Sequence, residues 1–221
     1  MTGKEMQILF QDIIEAATKH FPKKWLPESD IQFEYINEHQ NKFFIERYLT
    51  GSFVERTNFL RTHRQELLNL IEVGTVGVTS TSTYSKSLIV TWDNTKEFVS
   101  GSINITDSAM GTADTVVELI PIEGDINRFL TNHTNKPVIL QPVISLVGDS
   151  KAMVIYDDYT TLAKSDPITL DLLNAPATIS LSPTQNCELL ERFHEIIVRM
   201  AASQLLQDKF GIAASTKEDN K

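Results

Sequence analysis

The apolar spacing changes character twice along this chain, and those two changes limit what it can fold into. Up to about residue 76 the apolar residues recur at helical intervals. From Gly77 the texture becomes rich in Ser, Thr and β-branched residues, as in Val78-Thr79-Ser80-Thr81 and Leu88-Ile89-Val90-Thr91-Trp92. After Ser182 a helical stripe returns. Helices, then strands, then a helix describe segregated elements, which point to an α+β fold rather than a doubly wound parallel sheet. The expected organisation is an N-terminal helical region over 1–76, a β-rich region over 77–181, a C-terminal helix over 182–210 packing on the helical region, and a flexible tail over 211–221. The β region is expected to be antiparallel, as a sandwich or barrel-like body.

Within the first region, Met6, Leu9, Phe10, Ile13, Ile14 and Ala17 form one stripe of a helix that Pro22 should end by Phe21. Trp25 and Leu26 then lie in a link bounded by prolines. A second helix begins with Ser29 or Asp30 as cap and carries Ile36, Phe43, Phe44 and Tyr48. Gly51 closes it, since glycine reaches the left-handed conformation at little cost. Ser52 and Glu55 have the spacing of a capping box for a third helix with an apolar face from Phe53 through Phe59, Leu60, Leu67 and Leu68 to Ile71. Gly74 breaks that pattern.

In the β region, Phe98-Val99, Ser102 to Ile105, Thr115 to Ile122, Ile168 to Leu170 and Thr178 to Leu181 read as strands. The clearest hairpin runs from Val138 to Val147, turns at Gly148-Asp149-Ser150, and returns from Lys151 to Tyr156. Gly124 to Lys136 is polar and reads as a short helix or exposed loop. Ser182-Pro183-Thr184 opens the final helix, striped by Leu189, Leu190, Phe193, Ile196, Ile197, Met200, Ala201 and Leu205. It ends near Gly211, beyond which AASTKEDNK cannot bury apolar area and should be loose.

Composition bears on function mainly by exclusion. Of 221 residues 41% are apolar, enough for a core, and no apolar run approaches the ~20 residues a membrane helix needs. The amphipathic start is not the pattern of a secretory signal. The net charge of −9 comes with basic residues spread out, concentrated only at Lys23-Lys24 and Arg56–Arg64, so a surface that grips the DNA backbone is not expected. An acidic exterior is compatible with lining a path along which DNA slides. The single cysteine, Cys187, precludes an internal disulfide or a cysteine metal site. Near a helix start its thiolate would be favoured.

Chemical motifs are not found. There is no phosphate-binding loop, no GxGxxG, no HExxH and no GxSxG. The five histidines (20, 39, 63, 133 and 194) never fall three to five residues apart, the usual spacing for two imidazoles on one helix face. Asp157-Asp158 suggests a cation site or paired acid–base carboxylates, but adjacent carboxylates on a strand point to opposite faces, and a strand terminator accounts for them. No catalytic, cofactor or metal residue is assigned, and no cofactor is expected.

The stretch Ser29 to Ile71 carries a resemblance. Ile36-Asn37, Gln40, Phe44-Ile45, Arg47-Tyr48 and the Glu66-Leu67…Leu70-Ile71 ending match the N-terminal helices of ring-forming neck proteins below the portal of tailed phages, especially crAss-like phages with podovirus form. His39, Gln65 and Leu68 depart from that pattern. His194-Glu195-Ile196-Ile197-Val198 is a second, shorter echo. The resemblance implies a non-enzymatic head–tail connector subunit, present in many copies and as a dodecamer in the family's usual form. It implies the portal protein and neighbouring tail or ring proteins as partners, packaged DNA touched only non-specifically in the channel, and no membrane. Localisation would be the virion neck, after synthesis in the bacterial cytoplasm. Gln40, Arg47, Glu55, Arg61 and Arg64 are the candidate interface residues. Two other classes remain open on the residues alone: another tail-tube or completion protein, and an enzyme or ligand-binding module assembled from scattered residues.

Overall fold

The computed structural model describes residues 1–21, 25–76, 78–81, 87–107, 112–124, 141–155, 168–182 and 185–211. They form an α+β architecture that separates into two compact units. One comprises residues 1–49 and 175–221, the other residues 50–174. The boundaries therefore fall at 49/50 and 174/175, not at 76/77 and 181/182. The third helix of the expected helical region belongs with the strands.

The first unit is built on α1 (Gly3–Thr18), α2 (Ser29–Tyr48) and α4 (Glu191–Phe210), while α3 (Phe53–Thr62) lies in the second unit. A capping box starts α1, with the Thr2 hydroxyl accepting from the Glu5 N–H and the Glu5 carboxylate accepting from the Thr2 N–H. Glu28 precedes α2 with no side-chain cap, and Ser29 and Asp30 lie inside the helix instead. The buried residues of this unit include Met6, Phe10 and Ile14 on α1, Phe33, Ile36, Phe44 and Tyr48 on α2, and Phe193, Ile197, Val198, Ala201 and Leu205 on α4. The C-terminal helix packs on the N-terminal ones as its stripe demands. It begins at Glu191, later than Ser182 suggested, and Gly211 caps it at φ +65°. Ile196, counted in the stripe, is exposed. The expected loose tail from residue 212 lies outside the described residues.

The second unit opens with α3, whose Ser52/Glu55 capping box is present. The helix then gives way to a 3-10 turn at Arg64–Leu67 and to β1 (Ile71–Val76). Gly74, expected to break a helix, lies within this strand. The remaining strands are β2 (Val78–Thr81), β3 (Ser87–Thr91), β4 (Lys96–Asp107), β5 (Thr112–Glu118), β6 (Ile120–Pro121), β7 (Val143–Gly148), β8 (Lys151–Ile155) and β9 (Ile168–Asn174). They make two sheets, ordered β1-β9-β4-β5 and β2-β3-β8-β7-β6. All pairings are antiparallel except β6 with β7, which run parallel.

One core lies between the sheets. Phe98, Ile103, Ile168, Leu170 and Leu172 come from the first sheet, and Leu88, Val90, Ile144, Ala152 and Val154 from the second. This is sandwich packing, with alternate residues of each strand directed inward. Gly101 belongs to that alternation: a Cβ there would stand 2.9 Å from Leu170 Cδ2 and 3.0 Å from Leu119 Cδ1. The hairpin across Gly148 to Lys151 forms as expected. Its expected first residues, Val138 to Leu140, lie outside the described residues, as do the loop or helix at 125–136 and Asp157-Asp158. Gln141 is described and precedes β7.

Candidate functional site

Two constellations hold polar side chains in defined roles, one in each unit. The first runs along α2. Asn37 Nδ2 donates to the Ile179 carbonyl at 3.0 Å while its Oδ1 accepts from the Ile179 N–H at 2.7 Å. One turn on, Gln40 Nε2 donates to the Ala177 carbonyl at 2.9 Å. A helix face thus presents side-chain amides that bind extended backbone as a neighbouring strand would. Residues 178–181, read from sequence as a strand, join no sheet among the described residues; Ile179 bonds to this helix instead. The strap continues over the start of α1, where a Cβ on Gly3 would collide with the Ser180 carbonyl oxygen. The Gly3 N–H donates to Asn186 Oδ1 at 3.0 Å.

Further along α2 the motif reaches α4 through Arg47, while Ile45 is exposed. Phe44 and Tyr48 are core, with ring centroids 5.8 Å apart. The Arg47 guanidinium lies 4.6 Å from the Phe193 ring centroid and 5.5 Å from that of Tyr48, a cation–π arrangement. Gln40 is buried, so of the expected interface residues it is an internal strut. Arg47 is half-buried against α4.

Cys187 and His194 flank this joint. Cys187 lies ahead of α4, and burial pushes its thiol up to about 11, the reverse of the activation its position suggested. His194 Nε2 approaches the Leu189 carbonyl at 2.7 Å and Nδ1 approaches the Met1 nitrogen at 3.0 Å. Burial, more than any charge, lowers its pKa from the ordinary histidine value.

The second constellation is a row of arginines on α3 and the turn after it. Arg56 pairs with Glu97 of β4 at 3.1 Å, Arg61 with Glu118 of β5, and Arg64 with Asp171 of β9 at 2.7 Å. Arg61 also donates to the Leu119 carbonyl at 3.2 Å. All three carboxylates belong to strands of the first sheet, so the arginines staple α3 and the turn after it onto that sheet. Glu55, the remaining interface candidate, is held in its capping box. Glu123 also serves that helix start: bonds from Ser52 and from the Val54 N–H hold its carboxyl below the usual range.

Arg64 and Asp171 border an open cleft of about 200 Å³, lined further by Ser100, Ser102, Glu118 and Thr169. Asp171 is only 8% exposed and accepts from the Ser100 hydroxyl at 2.5 Å. A single acid inside the apolar run ITLDLLN was the available signal for this site. A serine and a carboxylate are adjacent here, and among the described residues no imidazole stands between them as it does in a Ser-His-Asp triad. His39 and His63 bond to the Tyr35 and Phe59 carbonyls instead. Among the described residues no three His, Cys, Asp or Glu side chains gather as a metal site. No helix of the described residues is long and apolar enough to cross a membrane.

A scan against protein-family models finds no match, and a search of the curated proteins finds none.

Proposed function

We infer that this chain is a structural subunit of an oligomeric ring in the neck of a tailed phage, below the portal, linking head to tail and enclosing the DNA channel. The observation that carries the reading is the joint on α2. Of the residues of the phage resemblance, Asn37 and Gln40 hold the strap and Arg47 reaches α4, while Ile36, Phe44 and Tyr48 are buried in the core. A motif that serves assembly of a rigid body suits a part that bears mechanical load. The cleft agrees with a mechanical role, since Asp171 is already engaged by Arg64 and Ser100. Partners would be further copies of the chain, the portal and the neighbouring tail components. The acidic surface would let DNA pass without adhering.

Cryo-EM of purified particles tests this. The expected result is a ring of this chain between portal and tail. Its absence from the particle, or its occurrence there as isolated copies, refutes the reading.

A further inference from the structure

The two sheets of the β unit treat their edges differently. The second sheet ends in β2, four residues with a register shift, and β6, two residues ending in Pro121. Short, irregular or proline-bearing edges resist pairing with another chain. The first sheet ends in β1, IEVGTV, and β5, TADTVVE, of six and seven residues. Neither contains proline or lysine, and both are rich in β-branched residues. Among the described residues neither has a partner strand on its outer side.

Strand direction adds a constraint. The order β1-β9-β4-β5 is antiparallel throughout, so β1 and β5 run in opposite directions. An even number of alternating strands can be repeated head to tail without breaking the alternation. The β5 edge of one copy then meets the β1 edge of the next in antiparallel sense.

Side chains favour one register. Val73 pairs across from Asp171, and Val116 across from Asn104, which places both valines on the sheet face away from the core. That face is otherwise mostly polar, with Ser100, Ser102, Thr169 and Asp171, yet Val73 is 60% exposed at one edge and Val116 68% at the other. Setting Val73 opposite Val116 aligns 71–76 with 113–118, the full length of β1. It places Glu72 opposite Val117 and Glu118 opposite Ile71, so neither of these carboxylates faces another.

We propose that copies of this chain join head to tail by pairing β5 of one with β1 of the next, Val116 against Val73, into one continuous sheet. Such a heterologous contact closes into a ring when the rotation per subunit allows it. The proposal rests on the ring reading and specifies its subunit contact. The partner is a second copy because the two edges match each other in length, polarity and apolar position.

Cysteine pairing of the full-length chain tests it. Val73→Cys and Val116→Cys proteins are treated with a short bismaleimide, separately and mixed, while mass photometry records oligomeric state. The buried Cys187 stays in place, and the unaltered chain is the control. The expected result is cross-linked dimer only in the mixture and a ladder of multimers from the double variant. Dimers from either single variant alone mean two-fold pairing and overturn the head-to-tail contact. Oligomers without cross-linking overturn the edge contact but leave the ring. Monomers throughout overturn both. As a second measurement, Val73→Lys with Val116→Lys should weaken association on the order of tenfold, because like charges directly opposite are destabilising. Val73→Lys with Val116→Glu should restore it. Both positions are exposed, so circular dichroism should stay unchanged. Equal association of all three proteins overturns the register.

Discussion

Replacing Asn37 with alanine isolates the contribution of the strap. The side chain makes two bonds to Ile179, at 3.0 and 2.7 Å, and both are partly buried. A net hydrogen bond is worth about 1 kcal/mol, and a backbone group left without a partner in a buried setting costs about 1–3 kcal/mol. Asn37 is itself half-buried, so water reaches part of the vacated space and the lower end applies. The expected loss is about 2–3 kcal/mol in urea unfolding. Hydrogen exchange at the Ile179 amide should accelerate even where the chain stays folded. Asn37→Asp sharpens the test. It keeps an acceptor for the Ile179 N–H but sets a carboxylate oxygen against the Ile179 carbonyl. It should therefore be destabilised at neutral pH and recover in part as acid protonates it. A stability change within about 0.5 kcal/mol for Asn37→Ala, with unaltered exchange at Ile179, would show that the strap is held by apolar contacts alone.

Three further outcomes follow from other contacts. Gly3→Ala should lower stability by about 1–3 kcal/mol in thermal melts, because its Cβ meets the backbone oxygen of Ser180 and one of the two segments must move. Arg64→Ala should cost about 1 kcal/mol, since Asp171 is buried but the arginine is 43% exposed and its pairing is screened by solvent; equal urea midpoints for variant and parent would dismiss this staple. His194 has a folded pKa below its ordinary 6.5, so the unfolded chain takes up a proton first as pH falls. Stability should be level above that pH and decline below it, and His194→Gln should flatten the decline in melts across roughly pH 5 to 7.

Sequence periodicity read the order of elements because each long helix buries one stripe and each hairpin strand alternates. It failed where the deciding partner was distant. Leu67, Leu68 and Ile71 continue a helical spacing from Phe53, yet Ile71 to Val76 pair with Leu173 to Ile168, a partner far along the chain that local spacing cannot report. Residues 178–181 have strand composition, but the hydrogen bonds at Ile179 go to a side chain of α2. Ser182-Pro183-Thr184 has the chemistry of a helix start, whereas α4 waits until Glu191. The interface candidates illustrate a related limit. Arg61 and Arg64 stood out as basic residues on a helix, but which carboxylate each would meet depended on the register of β5 and β9. Asp171 escaped notice because a lone acid in an apolar strand carries no spacing to recognise.

The insertion of residues 50–174 between the two parts of the helical unit sets an order in time. A ribosome releases α1 and α2 first, with Phe33, Ile36, Phe44 and Tyr48 lacking the helix that will cover them. Every strand of the sandwich is made before α4. At about 5–20 residues per second, synthesis from Asn174 to Phe210 takes roughly 2–7 s. The sandwich can therefore fold while the helical unit still waits. Until residues 177–179 emerge, the Asn37 and Gln40 amides stand open to any other segment, which makes the synthesis of the sandwich the period when the nascent chain most needs protection from its neighbours on the same message.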